Sequence, residues 1–220
     1  MIKFTPSSNQ NKMYNDVDLI RLVEISLDNF NNILFEDILA IIRTSNINII
    51  NSLFKKFESH DDFNEELYEE LNHLIKNIYS KVEVDNLRGS FLELLVFKLL
   101  DRKYGIISKK FLYGIDGHIW INGVKCKRTV DVFVMCELFK GFICECKINA
   151  GGFESHDIKN LNDIFISSNE ILFPYVISLS SESFINEKLS ELYRDDFSNA
   201  FVHGQYIKII SLDNFIEFFS

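Results

Sequence analysis

Apolar residues recur three and four apart from about residue 17 to residue 82, and beyond residue 105 the period shortens to two. The segments VDLIRLVEISLDNF, ILFEDILAIIR, INIINSLFKKF and DDFNEELYEELNHLIKNIYSKV each carry one apolar stripe, which predicts a run of amphipathic helices. In the last of them Phe63, Leu67, Leu71, Leu74 and Ile78 form the stripe, and Glu65, Glu66, Glu69 and Glu70 form a solvated face. Asp61 or Asp62 is the expected N-cap. The segment 86–103 differs, because FLELLVFKLL is apolar nearly all round, as in a helix buried between layers. Gly105 closes it, and Glu93 is the one acidic residue of that apolar run.

Alternation then predicts strands at 110–113, 118–121, 129–136 and 141–148, with Gly114, Gly117, Gly123 and Gly141 marking turns of a β-meander. A helix (SHDIKNLNDIFISS), a strand (ILFPYVISLS), a second helix (SSESFINEKLSELYRDDF) and a closing strand and helix (YIKIISLDNFIEFF) follow. The expected architecture is α/β, with a helical region at 1–84 and a core at 85–220, the boundary being a change of pattern and not a linker.

Composition removes some alternatives. No stretch approaches the roughly 18 uncharged apolar residues of a membrane span, and MIKFTPSSNQNKMYND lacks the features of a signal peptide, so the expectation is a cytoplasmic protein with no membrane contact. Cys126, Cys136, Cys144 and Cys146 lack C-x-x-C spacing and read as thiols packed in strands. The net charge of −9 argues against holding nucleic acid by general electrostatics, which leaves local clusters at Lys109 and Lys110 and at Lys125, Lys127 and Arg128. The five histidines form no catalytic spacing.

Three charges stand out in TVDVFVMCELFKGFICECKIN: Asp131, Glu145 and Lys147 lie in strands otherwise made of Val, Phe, Ile and Cys. Alternation puts Glu145 and Lys147 on one face and Cys144 and Cys146 on the other. If the two strands pair through the turn near Lys140, Asp131 and Glu145 share a face. Carboxylates in an apolar sheet cost several kcal/mol unless compensated, and two together raise each other's pKa. A divalent cation answers both problems, and Mg²⁺ accepts such oxygen-rich sites. A plain structural ion pair of Lys147 with either carboxylate is the competing expectation.

Glu93 in RGSFLELLVFKLL, then Asp131, then the ECK at 145–147, resemble the PD-(D/E)xK nuclease superfamily, over roughly 87–180. The spacing is D-x13-E-x-K, and Val130 stands where the motif's name has Pro. The resemblance implies a restriction-endonuclease-like core, a mixed central sheet flanked by helices. It also implies a Mg²⁺ ion, with Mn²⁺ able to substitute, held by Asp131, Glu145 and the Cys146 carbonyl, with Glu93 anchoring a second ion. In that frame Lys147 orients the attacking water, while Arg88, Lys127 and Arg128 contact the substrate backbone. The implied activity is phosphodiester hydrolysis, with DNA placed ahead of RNA, in an endonuclease of a restriction or anti-phage system. The helices of 1–84 are then assigned to a protein partner, a homodimer or target recognition. The alternatives are an inactive nuclease-like scaffold or protein-binding inhibitor, and a ribonuclease.

Overall fold

The computed structural model describes residues 1–7, 14–59, 64–137, 140–195 and 206–220. It is α/β, and the chain divides into two compact units, one of Asn11–Leu95 and one of Met1–Gln10 with Val96–Ser220.

The first unit is helical. It holds α1 (Val17–Asp28), α2 (Ile33–Arg43), α3 (Ile47–Phe57), α4 (Glu65–Ser80) and the first part of α5 (Val84–Tyr104). Each of the first four starts where an Asp or Asn side chain takes a backbone N–H of the first turn: Asp16, Asn32, Asn46 and Asn64. The cap of α4 is thus Asn64, not Asp61 or Asp62, which with Phe63 lie outside the described residues. The carbonyls at the end of α2 are taken by side chains, Ile41 and Thr44 by the Tyr79 hydroxyl and Ile42 by Arg88. Gly105, with a φ of 64°, closes α5 as its position predicts.

The second unit is built on a six-stranded mixed sheet in sequence order, β1 (Ile2–Pro6), β2 (Tyr113–Ile121), β3 (Val124–Glu137), β4 (Lys140–Lys147), β5 (Leu172–Ser178) and β6 (Lys208–Ile210). The first four are antiparallel, and β4, β5 and β6 run parallel. The parallel joints need crossovers, supplied by α6 (Ser155–Ser167) between β4 and β5 and by a segment containing α7 (Glu182–Asp195) between β5 and β6. A short helix, α8 (Phe215–Phe219), ends the chain. Ile119, Val130, Phe133, Ile143 and Val176 meet Ile158, Leu161 and Ile164 of α6 and Ile185 and Leu189 of α7 in one core. Phe142 and Tyr175 carry a second, aromatic layer against Tyr104 of α5 and Phe218 of α8.

Two strand expectations change. Residues 106–110 form turns, and the strands expected at 110–113 and 118–121 are one strand, β2, with Gly114 and Gly117 inside it. The glycines are there for close approach. The Phe4 ring of β1 lies over both and stacks on Phe133 at a centroid distance of 5.5 Å, and a Cβ on Gly117 would meet the Thr5 carbonyl oxygen at 2.6 Å. The β2–β3 turn is as expected: Asn122 and Gly123, with φ of 51° and 86°, make the two-residue hairpin loop that the strand twist favours.

Gly117→Ala is therefore expected to destabilise the protein by about 1 to 3 kcal/mol, the usual penalty of overpacking. For a chain of this length that lowers Tm by about 2 to 4 °C per kcal/mol. A thermal melt that overlays wild type would remove Phe4 as the reason for the glycine.

Candidate functional site

The register builds the site. Val132 pairs with Cys144 and Phe133 with Ile143, and one further step sets Asp131 opposite Glu145 on the same face. On the other side Ile115 pairs with Val132 and Gly117 with Val130, which sets Asp116 of β2 opposite Asp131. Lys147, two residues past Glu145, turns back: its ammonium donates to Glu145 Oε1 and lies 3.9 Å from Asp131 Oδ2. Asp131 Oδ2 also accepts the Cys146 backbone N–H at 2.7 Å. Glu145 is 5% exposed. The alternation argument thus holds on both faces, since Cys144 and Cys146 are buried core; the Cys136 side chain lies outside the described part.

Burial pushes the Asp131 carboxyl up to about 6, against the pull of Lys147 and the Cys146 N–H, with Asp157 and Asp116 adding to the rise. Glu145 is raised well above the ordinary carboxylate range, first by burial and then by Asp131. Burial works to deprotonate Lys147, but Asp131 and Glu145 outweigh it, and the ammonium is held charged beyond its usual range. One cation faces more negative charge than it neutralises. Near neutral pH the carboxylate pair retains proton that a second cation would displace.

Two acids that alternation alone did not single out belong to this field. Asp116 has a left-handed φ of 43°, takes the Ser7 hydroxyl on its carboxylate and accepts the Ser7 backbone N–H at its carbonyl. Asp157, buried in the first turn of α6, accepts the Glu154 backbone N–H and sits 3.1 Å from His156 Nε2. The signal for Asp116 was present in GIDGHIW, where Asp116, His118 and Trp120 are alternate polar or amphipathic positions.

The remaining candidates fall elsewhere. Lys127 and Arg128 are exposed on a bulge of β3: His118 pairs with Thr129 and Trp120 with Lys125, so residues 126–128 face Ile119 alone. Arg88 is buried in the helical unit, donating to the Ile42 carbonyl and pairing with Asp85 at 2.9 Å; this is a structural tie, not a guanidinium presented to a phosphate. Glu93 belongs to the same unit and accepts the Tyr14 hydroxyl. Among the described residues no three His, Cys, Asp or Glu side chains converge as a ready-made metal cluster. What fits a hard cation is narrower: two facing carboxylates, Glu145 buried and Asp131 partly so, whose ionisation is opposed until positive charge arrives.

The sign of the pH effect follows. Between about 4 and 6 the folded protein keeps a proton on Asp131 that the unfolded chain has lost, so stability falls as pH rises through that window. Asp131→Asn is accordingly expected to be more stable than wild type at pH 7.5 in chelator, and nearly equal to it at pH 4. Denaturant titrations of both proteins at the two pH values measure this; a variant less stable at pH 7.5 would make Asp131 a structural partner of Lys147.

No known protein family matches the chain, and no curated protein matches it in sequence. The site's own chemistry therefore carries the functional reading.

Proposed function

We propose that this chain is a metal-dependent nuclease of the PD-(D/E)xK kind, with a restriction-endonuclease-like core, hydrolysing phosphodiester bonds of DNA as an endonuclease. The observation that carries the reading is Asp131 facing Glu145 across β3 and β4 with Lys147 beside both, in surroundings that resist the ionisation of both acids. The order of elements supports it: α5, the meander β2 to β4, α6 and β5 follow one another as the resemblance implies. No helix among the described residues is long and apolar enough to cross a membrane.

Asp131, Glu145 and the Cys146 carbonyl would hold Mg²⁺ or Mn²⁺, which when bound supplies positive charge at the scissile phosphate and lowers the pKa of the attacking water. Asp131 and Glu145 would hold the ion as carboxylates, without the proton they otherwise retain. Lys147 stays an ammonium throughout, freed from the carboxylates to donate to the water and to face the charge that grows on the phosphoryl oxygens. Lys127 and Arg128, exposed on the β3 bulge, position the DNA backbone without reading its sequence. Glu93 enters only through the resemblance, since it lies in the helical unit. One observation favours a second reading, an inactive scaffold: Lys147 is already paired with Glu145, as a purely structural ion pair would be.

The two readings part on metal and on Lys147. Plasmid, linear duplex, single-stranded DNA and RNA are incubated with the protein in EDTA, Mg²⁺ or Mn²⁺; the nuclease reading expects cutting of DNA with metal only. Lys147→Ala is expected to lose at least about 100-fold in rate, the scale of an acid–base contribution. It should retain the metal-induced rise in Tm, about 1.4 kcal/mol at ten times the dissociation constant, or about 3 to 6 °C. Absence of cutting together with a flat metal response in wild type would leave the scaffold.

A further inference from the structure

A second polar surface lies on β1, β2 and β3. Two rows of directly opposed residues cross β1, β2 and β3 on one face. Lys3, Trp120 and Lys125 form the first, and Thr5, His118 and Thr129 the second. Next along β2, Ser7 is bonded to Asp116, and Asp116 stands opposite Asp131. Residues 126–128 bulge, but the two extra residues leave the alternation in phase, so Lys125 and Thr129 remain on the same side; beyond them the face changes at Asp116, since Gly114 and Gly117, three residues apart, both lie under Phe4, and Val130 and Phe133 share one core. Trp120 is half-buried and held by a hydrogen bond from its indole N–H to Thr5 Oγ, 3.0 Å.

The lysines on either side of Trp120 are exposed, as are Lys127 and Arg128. Among the described residues none of these four cations forms an ion pair or lies over a ring. In a chain of net charge −9, that is an unspent basic patch around a fixed aromatic ring. A planar ring flanked by free cations suits an unpaired base whose neighbouring phosphates reach the lysines, the arrangement by which single strands are held. A duplex keeps its bases stacked inside and offers the ring no face.

We infer that the face of β1, β2 and β3 around Trp120 binds a single-stranded stretch of DNA, the base on Trp120 and the phosphates on Lys3, Lys125 and Lys127. Asp116 is four residues from Trp120 along β2, about 13 Å at a strand's rise per residue, within reach of the same nucleic-acid strand. That the strand is cut where it arrives rests on the nuclease reading; the binding face does not. The proposed substrate is DNA with an unpaired segment, such as a frayed end, flap or bubble.

Trp120 is the only tryptophan in the chain, so its fluorescence reports this face alone. The intact protein is titrated in EDTA, where no cutting occurs, with a 12-mer of deoxythymidine, a 12-base-pair duplex and a 12-mer of uridine. Saturable quenching by the single-stranded DNA is expected, with at least tenfold weaker binding of the duplex. Lys125→Glu, a change at an exposed strand position, should weaken binding several-fold and flatten the salt dependence by about 0.7 per lost phosphate contact. Trp120→Phe, followed by anisotropy of a labelled 12-mer, should also bind more weakly while melting cooperatively. No quenching, equal quenching by the duplex, or wild-type binding by Lys125→Glu would overturn the inference, and tighter binding of the uridine 12-mer would overturn DNA as the occupant. Quenching without metal-dependent cutting removes the nuclease and keeps this face; cutting without quenching does the reverse.

Discussion

Everything at the candidate site depends on one opposed pair, Asp131 and Glu145, held in a sheet that does not want them ionised. The pair is fixed by register. A slip of one residue between β3 and β4 would turn Asp131 into the layer that Val132 and Cys144 now fill, and would bring Cys144 and Cys146 onto the polar face. The apolar neighbours therefore enforce the approach of the two acids: Val132, Phe133, Val134 and Ile143 are fully buried, and none can leave its face cheaply. Lys147 relieves part of the repulsion and no more. This is the state of a site that stores a demand for positive charge, in contrast to a closed ion pair, which would hold its carboxylates below their ordinary range.

The strands of that site were legible because alternation is local. Asp131, Glu145 and Lys147, with Cys144 and Cys146 on the reverse, could be assigned to faces from the spacing alone, and the register agrees. The helices were legible for the same reason, each carrying its own apolar stripe. What was hidden depends on distant partners. The β1 strand has only five residues, with Lys, Thr and Pro among them, and becomes a strand because β2, more than a hundred residues later, supplies its hydrogen bonds. Gly114 and Gly117 read as turn residues when the reason for them, the ring of Phe4, lies on that unseen strand. Arg88 looked available for phosphate until its carbonyl partner, Ile42, was placed 46 residues away.

Net charge is likewise a property of the whole chain and not of any one face. A total of −9 describes the whole chain, and much of it is spent on helix faces such as Glu65, Glu66 and Glu69, all exposed on α4. What a polyanion meets is the local field, screened within about 8 to 10 Å at ordinary salt. On that scale the hairpin of β2 and β3, with Lys125, Lys127 and Arg128, is positive although the protein is not.

Asp116 joins these threads. A non-glycine residue at a left-handed φ costs about 1 kcal/mol or more and persists only where its surroundings determine it. Here they do: glycines flank it at 114 and 117 so that Phe4 can lie on the strand, and Ser7 grips both its carboxylate and its carbonyl. The first strand thereby does two things at once, closing the edge of the core through Phe4 and fixing a third acid in line with Asp131 and Glu145. That third charge raises Asp131 further and deepens the field a cation would enter. Removing β1 would therefore disturb the electrostatics of a site it does not contain, and residues 1–7 belong with the sheet unit and not with the helices.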